Sequence, residues 1–191
     1  MDKEAKTVRL FMAIPLTGEA TETVGHFSRR LKKQLSGADI RWIPPENYHL
    51  TLAFLGNQPE EKIPLLSEIL KRAGRQAAPL QITMNGMQQL GVFARTRFLA
   101  VSIEENIALT VLQDRLVRDL SENGFEVPVR EFIPHITLAR VRGRAALPRT
   151  LPNMELTFRE QVTEIGLYRS ETLQDGAVYT PVVRAVLTGR D

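Results

Sequence analysis

Apolar and polar residues alternate from Val8 to Pro15, with Val8, Leu10, Met12 and Ile14 in one row and Arg9, Phe11 and Ala13 in the other. Period two predicts a strand, and its second face is mixed rather than plain core. The period then changes. Ala20, Val24, Phe27, Leu31 and Leu35 recur at steps of three and four, which predicts a helix over Gly18 to Leu35 with Thr17 as N-cap and Gly37 as stop. Ile40 to Ile43 is a short extended piece ended by Pro44-Pro45, and Tyr48 to Leu55 is a second strand, broken by Gly56-Asn57. A helix follows to about Ala73, burying Ile63, Leu66, Ile69 and Leu70, with Gly74 as terminator. Its start lies between Pro59, which suits a first helical position, and Pro64, which would cost a hydrogen bond further in. Leu80 to Leu90 alternates as a closing strand.

The same programme then recurs. Arg97 to Ile103 predicts a strand, Ile107 to Asn123 a helix burying Leu109, Leu112, Leu116 and Leu120 with Gly124 beyond it, and Phe132 to Val141 a strand. Two alternating stretches finish the chain, Glu155 to Tyr168 and Ala177 to Leu187, with Asp175-Gly176 as the hairpin turn. The spacing from Phe11 to His49 nearly equals that from Phe98 to His135, and each interval holds strand, helix, a proline-containing segment and a further strand. This is a duplicated unit, two β-α-β units with pseudo-two-fold symmetry whose equivalent strands face each other across a groove.

Those equivalent strands carry near-identical tetrapeptides, His49-Leu50-Thr51-Leu52 and His135-Ile136-Thr137-Leu138. Alternate residues of a strand share a face, so each offers an imidazole beside a hydroxyl, backed by aliphatics. One such histidine is ordinarily a satisfied structural residue. Packing has no reason to want the same polar pair on the same face twice, so the two together are candidate chemistry. His26, the third histidine, falls off its helix stripe and reads as surface.

Composition narrows that chemistry. The 191 residues are 43% hydrophobic and 25% charged, as in a globular chain with one substantial core. No apolar run approaches the roughly 20 residues of a membrane span, and the N-terminus lacks a signal-peptide core, so a cytoplasmic location without membrane contact is expected. There is no cysteine, which removes disulfides, thiolate metal sites and cysteine nucleophiles. A net charge of +3 is too small to require nucleic acid. Arg130, Arg140, Arg142, Arg144 and Arg149, set against Glu131 alone, nevertheless make a basic run around the second motif that could attract phosphate. A metal site would need a third ligand that neither motif supplies, and no Gly-x-Ser-x-Gly elbow is present. No metal and no cofactor are expected. Two imidazoles across a groove can instead work as acid and base, with the threonines donating to phosphate oxygens.

Paired His-x-Thr-x tetrapeptides, the opening RLFMAI, and the blocks WIPPENYHLTLAFLG and FIPHITLAR resemble the 2H phosphoesterase superfamily, in its RNA 2′,3′-cyclic phosphodiesterase (2′-5′ RNA ligase-like) branch. The resemblance covers nearly the whole chain. It implies an α+β fold in which residues 1–191 form a single bilobal domain, with sequence halves of about 1–91 and 92–191. Mainly antiparallel sheets would surround a central groove, with helices outside. It further implies metal-independent opening of a terminal 2′,3′-cyclic phosphate to a 2′-phosphomonoester. His49 would be the proton donor, His135 the proton acceptor, Thr51 and Thr137 their companions, and Arg140 a phosphate contact. Strict alternation turns Arg140 away from His135, so the strand must end or twist before it. Phe11 is a candidate for stacking on a terminal base or ribose, and Arg130 and Tyr168 are further candidate substrate contacts. The partners expected are RNA 3′ ends or small cyclic nucleotide phosphates, with no obligate protein partner and a monomeric chain. The same machinery could serve another cyclic nucleotide phosphate or reversible 2′-5′ ligation, and a module that holds RNA ends without turnover is the rival class.

Overall fold

The computed structural model describes residues 6–35, 40–91, 96–128, 131–142, 151–173 and 176–190. Among these described residues nine strands and three α-helices run in the order β1 (Thr7–Pro15), α1 (Gly18–Gln34), β2 (Ile40–Trp42), β3 (His49–Pro59), α2 (Ile63–Gln76), β4 (Leu80–Leu90), β5 (Thr96–Ile103), α3 (Ile107–Glu122), β6 (His135–Arg142), β7 (Thr157–Val162), β8 (Glu164–Leu173) and β9 (Gly176–Val186). All nine strands join one sheet of order β7-β4-β5-β6-β3-β1-β8-β9, with β2 continuing alongside β6. Every pairing is antiparallel.

The order is symmetric about the β6/β3 junction, so β5 answers β1, β4 answers β8 and β7 answers β9. These are the two pseudo-symmetric lobes of a curled half-barrel. Each sequence half lends a strand to the other's lobe, since β4 bonds β5 and β8 bonds β1. The motif strands do not meet from opposite walls. They are neighbours at the centre of the sheet, paired at Leu50 and Ile136, and form the floor of the groove.

Leu50, Leu52, Ile136 and Leu138 point into a core shared with Leu31 of α1, Leu66 of α2 and Leu109 of α3. The helices therefore lie against one face of the sheet, and the histidines and threonines occupy the other. Leu50 and Ile136 are fully buried. Truncating such a residue to alanine typically costs about 2–5 kcal/mol, which makes the junction a rigid base for the site.

Several elements differ from the sequence reading. Residues 155–168 are not one strand: β7 pairs with β4 near one end of the sheet, β8 pairs with β1 near the other, and only Thr163 lies between them. That one-residue corner draws the sheet ends toward each other and curls it. Gly56 does not end β3. It takes a positive φ of 67° beside a bulge, and pairing with β1 continues to Pro59. Pro64 sits in the first turn of α2, where its missing N–H would have been unpaired anyway, so it starts the helix rather than interrupting it.

Gly74 lies inside α2. A side chain there would come within 2.8 Å of the Val186 carbonyl oxygen, so the glycine permits close packing on β9. The second motif strand begins at His135 rather than Phe132, after Pro134, which has no N–H for the ladder. Thr17 caps α1 as expected, its Oγ1 accepting from the Ala20 N–H at 3.3 Å. Gly37 and Asp175 lie outside the described residues. Among the described residues no helix is long and apolar enough to cross a membrane.

Candidate active site

His49 and His135 each open a strand, and each ring is held in the same way. His49 Nδ1 lies 2.8 Å from the Asn47 carbonyl oxygen, and His135 Nδ1 lies 2.7 Å from that of Ile133. A carbonyl can only accept, so in both rings Nδ1 carries the proton and Nε2 remains free to take or give one. Leu50 opposes Ile136, and continuing that antiparallel register by one residue each way sets His49 across from Thr137 and Thr51 across from His135. Each imidazole therefore stands beside the other motif's hydroxyl.

Both motif strands carry a bulge at the same place. Between the pairs Met12–Ala53 and Ala13–Thr51, Leu52 is the extra residue, and between Leu99–Ala139 and Ala100–Thr137 it is Leu138. A bulge interrupts alternation, so residues beyond it change face relative to strict counting. Arg140 consequently pairs with Phe98, on the face of Ala100 and Thr137, and its guanidinium carbon lies 5.9 Å from the Phe98 ring centroid. Phe54 holds the equivalent place in the other lobe. It pairs with Phe11 and is 58% exposed.

The two histidines differ in their surroundings. Phe11 lies 4.9 Å from the His49 ring centroid at 37°, and Tyr179 lies 5.2 Å from it at 87°. Burial is the main cause that holds His49 below the ordinary imidazole pKa. The Asn47 carbonyl opposes it by favouring the charged ring, while the positive charges of His135 and Arg140 push the value down further. The loop before His49 is anchored too, because Asn47 Nδ2 donates to the Ala177 carbonyl oxygen at 2.6 Å.

Phe11 does not offer a free face to a base. It is buried, stacked on Tyr168 at 5.4 Å and edged by Tyr179 at 4.9 Å, so it shapes the wall beside His49. Tyr168 is likewise buried, and its ring lies over Gly166, where a side chain would meet it at 2.5 Å. Its hydroxyl has no partner among the described residues, and burial raises its pKa. Both residues lie on the groove face beside His49, in a cluster separate from the helix-side core, and Phe54 is an exposed ring on the same face. Arg130, Arg144 and Arg149 lie outside the described residues.

Sequence reasoning missed Phe54, Tyr179 and Asn47, and also Glu160. The Glu160 carboxylate is buried and accepts from the Thr17 N–H at 2.9 Å and the Thr17 hydroxyl at 3.0 Å, tying α1 to β7. Only Phe54 left a signal, as the aromatic that interrupts alternation in LTLAFLG. Among the described residues no three of His, Asp or Glu are grouped so as to hold a metal ion.

The sequence pattern of the LigT like phosphoesterase family matches residues 14–97 and 101–179. An RNA 2′,3′-cyclic phosphodiesterase of Geobacillus stearothermophilus is 33% identical over 170 residues, which is 86% of this chain and 53% of that longer protein, so the chain spans about half of it. One from Methanothermobacter thermautotrophicus is 31% identical over 182 residues, covering 91% of this chain and 95% of the relative. The crystal structure of Escherichia coli LigT complexed with 3′-AMP superposes with a TM-score of 0.80 at 31% identity, over 96% of this chain and 99% of that one.

Proposed function

The chain belongs to the LigT-like phosphoesterase family, and from that membership we propose that it hydrolyses the 2′,3′-cyclic phosphate at RNA 3′ ends to a 2′-phosphomonoester. The two His-x-Thr-Leu motifs supply the chemistry and no metal takes part. The observation that carries the reading is the pair of imidazoles, each fixed through Nδ1 to a backbone carbonyl and each beside the other motif's threonine.

A cyclic phosphate over the β3/β6 junction would lie between the two Nε2 atoms. Water enters opposite the 3′ oxygen, His135 takes a proton from it as the new P–O bond forms, and His49 gives its proton to the 3′ oxygen as that bond breaks. His49 ends neutral and His135 charged, and exchange with solvent restores both. The Thr51 and Thr137 hydroxyls donate to the non-bridging oxygens, and Arg140 balances their charge. The anionic phosphate also offsets the repulsion that Arg140 imposes on a charged His49, so substrate itself helps His49 hold the proton it must donate. Phe54 is the ring available to a terminal base.

A site that only held RNA ends would gain more from arginine or lysine than from two imidazoles. The test is a 5′-labelled oligonucleotide ending in a 2′,3′-cyclic phosphate, incubated with the protein in excess EDTA. The expected product is the 2′-phosphate. Loss of turnover restored by zinc or manganese overturns the metal-free mechanism, and stable binding of intact substrate overturns the enzyme.

A further inference from the structure

In β2, Ile40 and Trp42 pack against the core, while Arg41 between them is exposed on the opposite face, that of the groove. Its direct cross-strand partner in β6 is Arg140. Like charges set directly opposite one another destabilise a ladder. Among the described residues neither guanidinium has a carboxylate in ion-pair distance. Packing does not require a cation at this position, since Arg41 is exposed. The Arg41 Nη2 atom also reaches across to the start of β9, where a side chain at Gly176 would begin only 3.5 Å away. The guanidinium thus lies at the tip of the β8–β9 hairpin, beside the Asn47–Ala177 bond that anchors the His49 loop.

Arg140 lies two ladder pairs beyond Thr137, about 7 Å along the strand. Arg41 lies roughly 5 Å further to the side. That offset is comparable to the separation of successive phosphates along a nucleic-acid strand. Two guanidiniums so placed, neither with a carboxylate partner among the described residues, form a track for two phosphates, of which the reacting one takes Arg140.

We propose that Arg41 holds the phosphodiester on the 5′ side of the terminal nucleotide, so that the site favours oligonucleotide ends over cyclic mononucleotides. This rests on the reading that the reacting group is an RNA terminal cyclic phosphate. It adds a second anion subsite outside the histidine pair.

The test compares wild type with Arg41→Gln on two substrates, a 2′,3′-cyclic mononucleotide and a trinucleotide ending in the same group. With the trinucleotide, kcat/KM should fall on the order of tenfold, carried by KM. With the mononucleotide, which has no second phosphate, it should be unchanged. The slope of log(kcat/KM) against log salt for the trinucleotide should shrink by about 0.7, the share of one phosphate contact on a single strand. Arg41→Lys should keep most of the preference. Equal loss on both substrates, or no loss on either, overturns the subsite while leaving the enzyme intact. A wild-type protein that cleaves neither substrate overturns the underlying reading and the subsite with it.

Discussion

Tyr179 on β9 stands edge-on to His49 on β3, with ring centroids 5.2 Å apart and planes at 87°. The contact exists because the β8–β9 hairpin reaches the groove face, where the Asn47–Ala177 bond fixes it. With Phe11 on another side, Tyr179 keeps water from His49, and that burial lowers the imidazole pKa. Tyr179→Ala should therefore raise the His49 value toward its ordinary 6.5, followed through its Cε1 proton in an NMR titration. A fall, or no change, would show that the ring does not control hydration there. The sign for stability follows. With the folded value depressed, the unfolded chain binds the proton first, so stability is full above about 6.5 and is lost as pH falls toward the folded value. Tyr179→Ala should flatten that loss.

Thr51→Ala and Thr137→Ala should each lower kcat by about 100- to 1,000-fold, the usual cost of one donor to developing charge. Thr51 and Thr137 are half-buried on the groove face while the core lies behind Leu50 and Ile136, so unfolding midpoints should change little. Steady-state kinetics beside denaturant titrations separate the two effects. Wild-type turnover in both variants would remove the threonines from the mechanism.

Glu160→Ala should show the opposite profile. The carboxylate is buried and accepts two hydrogen bonds from Thr17. Its loss leaves those donors unpaired at the start of α1, a cost of about 1–3 kcal/mol. Urea denaturation should register the loss, with turnover per folded molecule unchanged. An unaltered midpoint would mean that the tie between α1 and β7 contributes nothing.

The residues that could be read from sequence are those governed by local periodicity. Val24, Phe27 and Leu31 fixed α1 because helical spacing needs no distant partner, and the His and Thr of each motif share a face by alternation alone. Arg140 was legible only as an exception, because the bulge at Leu138 depends on pairing with β5. Thr163 was not legible at all. Alternation continues through it, and only the choice of β4 on one side and β1 on the other makes it a corner. Tyr179 and Glu160 reach their partners through that curl and the hairpin, so their roles depend on tertiary structure. The cover over Phe11 was not legible for a related reason, since a mixed strand face can be exposed or covered, and here Tyr168 and Tyr179 cover it.

The roles of the two histidines can be separated even though the motifs are near copies. Forming a 2′-phosphate requires the 3′ oxygen to depart, and an alkoxide leaves poorly unless it is protonated. His49 is assigned that proton, and His135 the task of taking one from water. One ring must be charged and the other neutral, so kcat/KM should trace a bell whose two apparent pKa values belong to the coupled pair. A bell alone does not say which ring is which, because exchanging the roles leaves the proton count unchanged. A substrate with sulfur in place of the 3′ oxygen breaks the tie. A thiol ionises near 8.5, so a thiolate departs without an acid. That substrate should restore most of the turnover lost in His49→Ala and none of that lost in His135→Ala, whose missing base is still needed. On the ordinary substrate each single variant should lose most activity and the double variant little more, since groups acting as one unit are not additive. Rescue of His135→Ala instead would reverse the assignment, and rescue of neither would place the leaving oxygen beyond the reach of both rings.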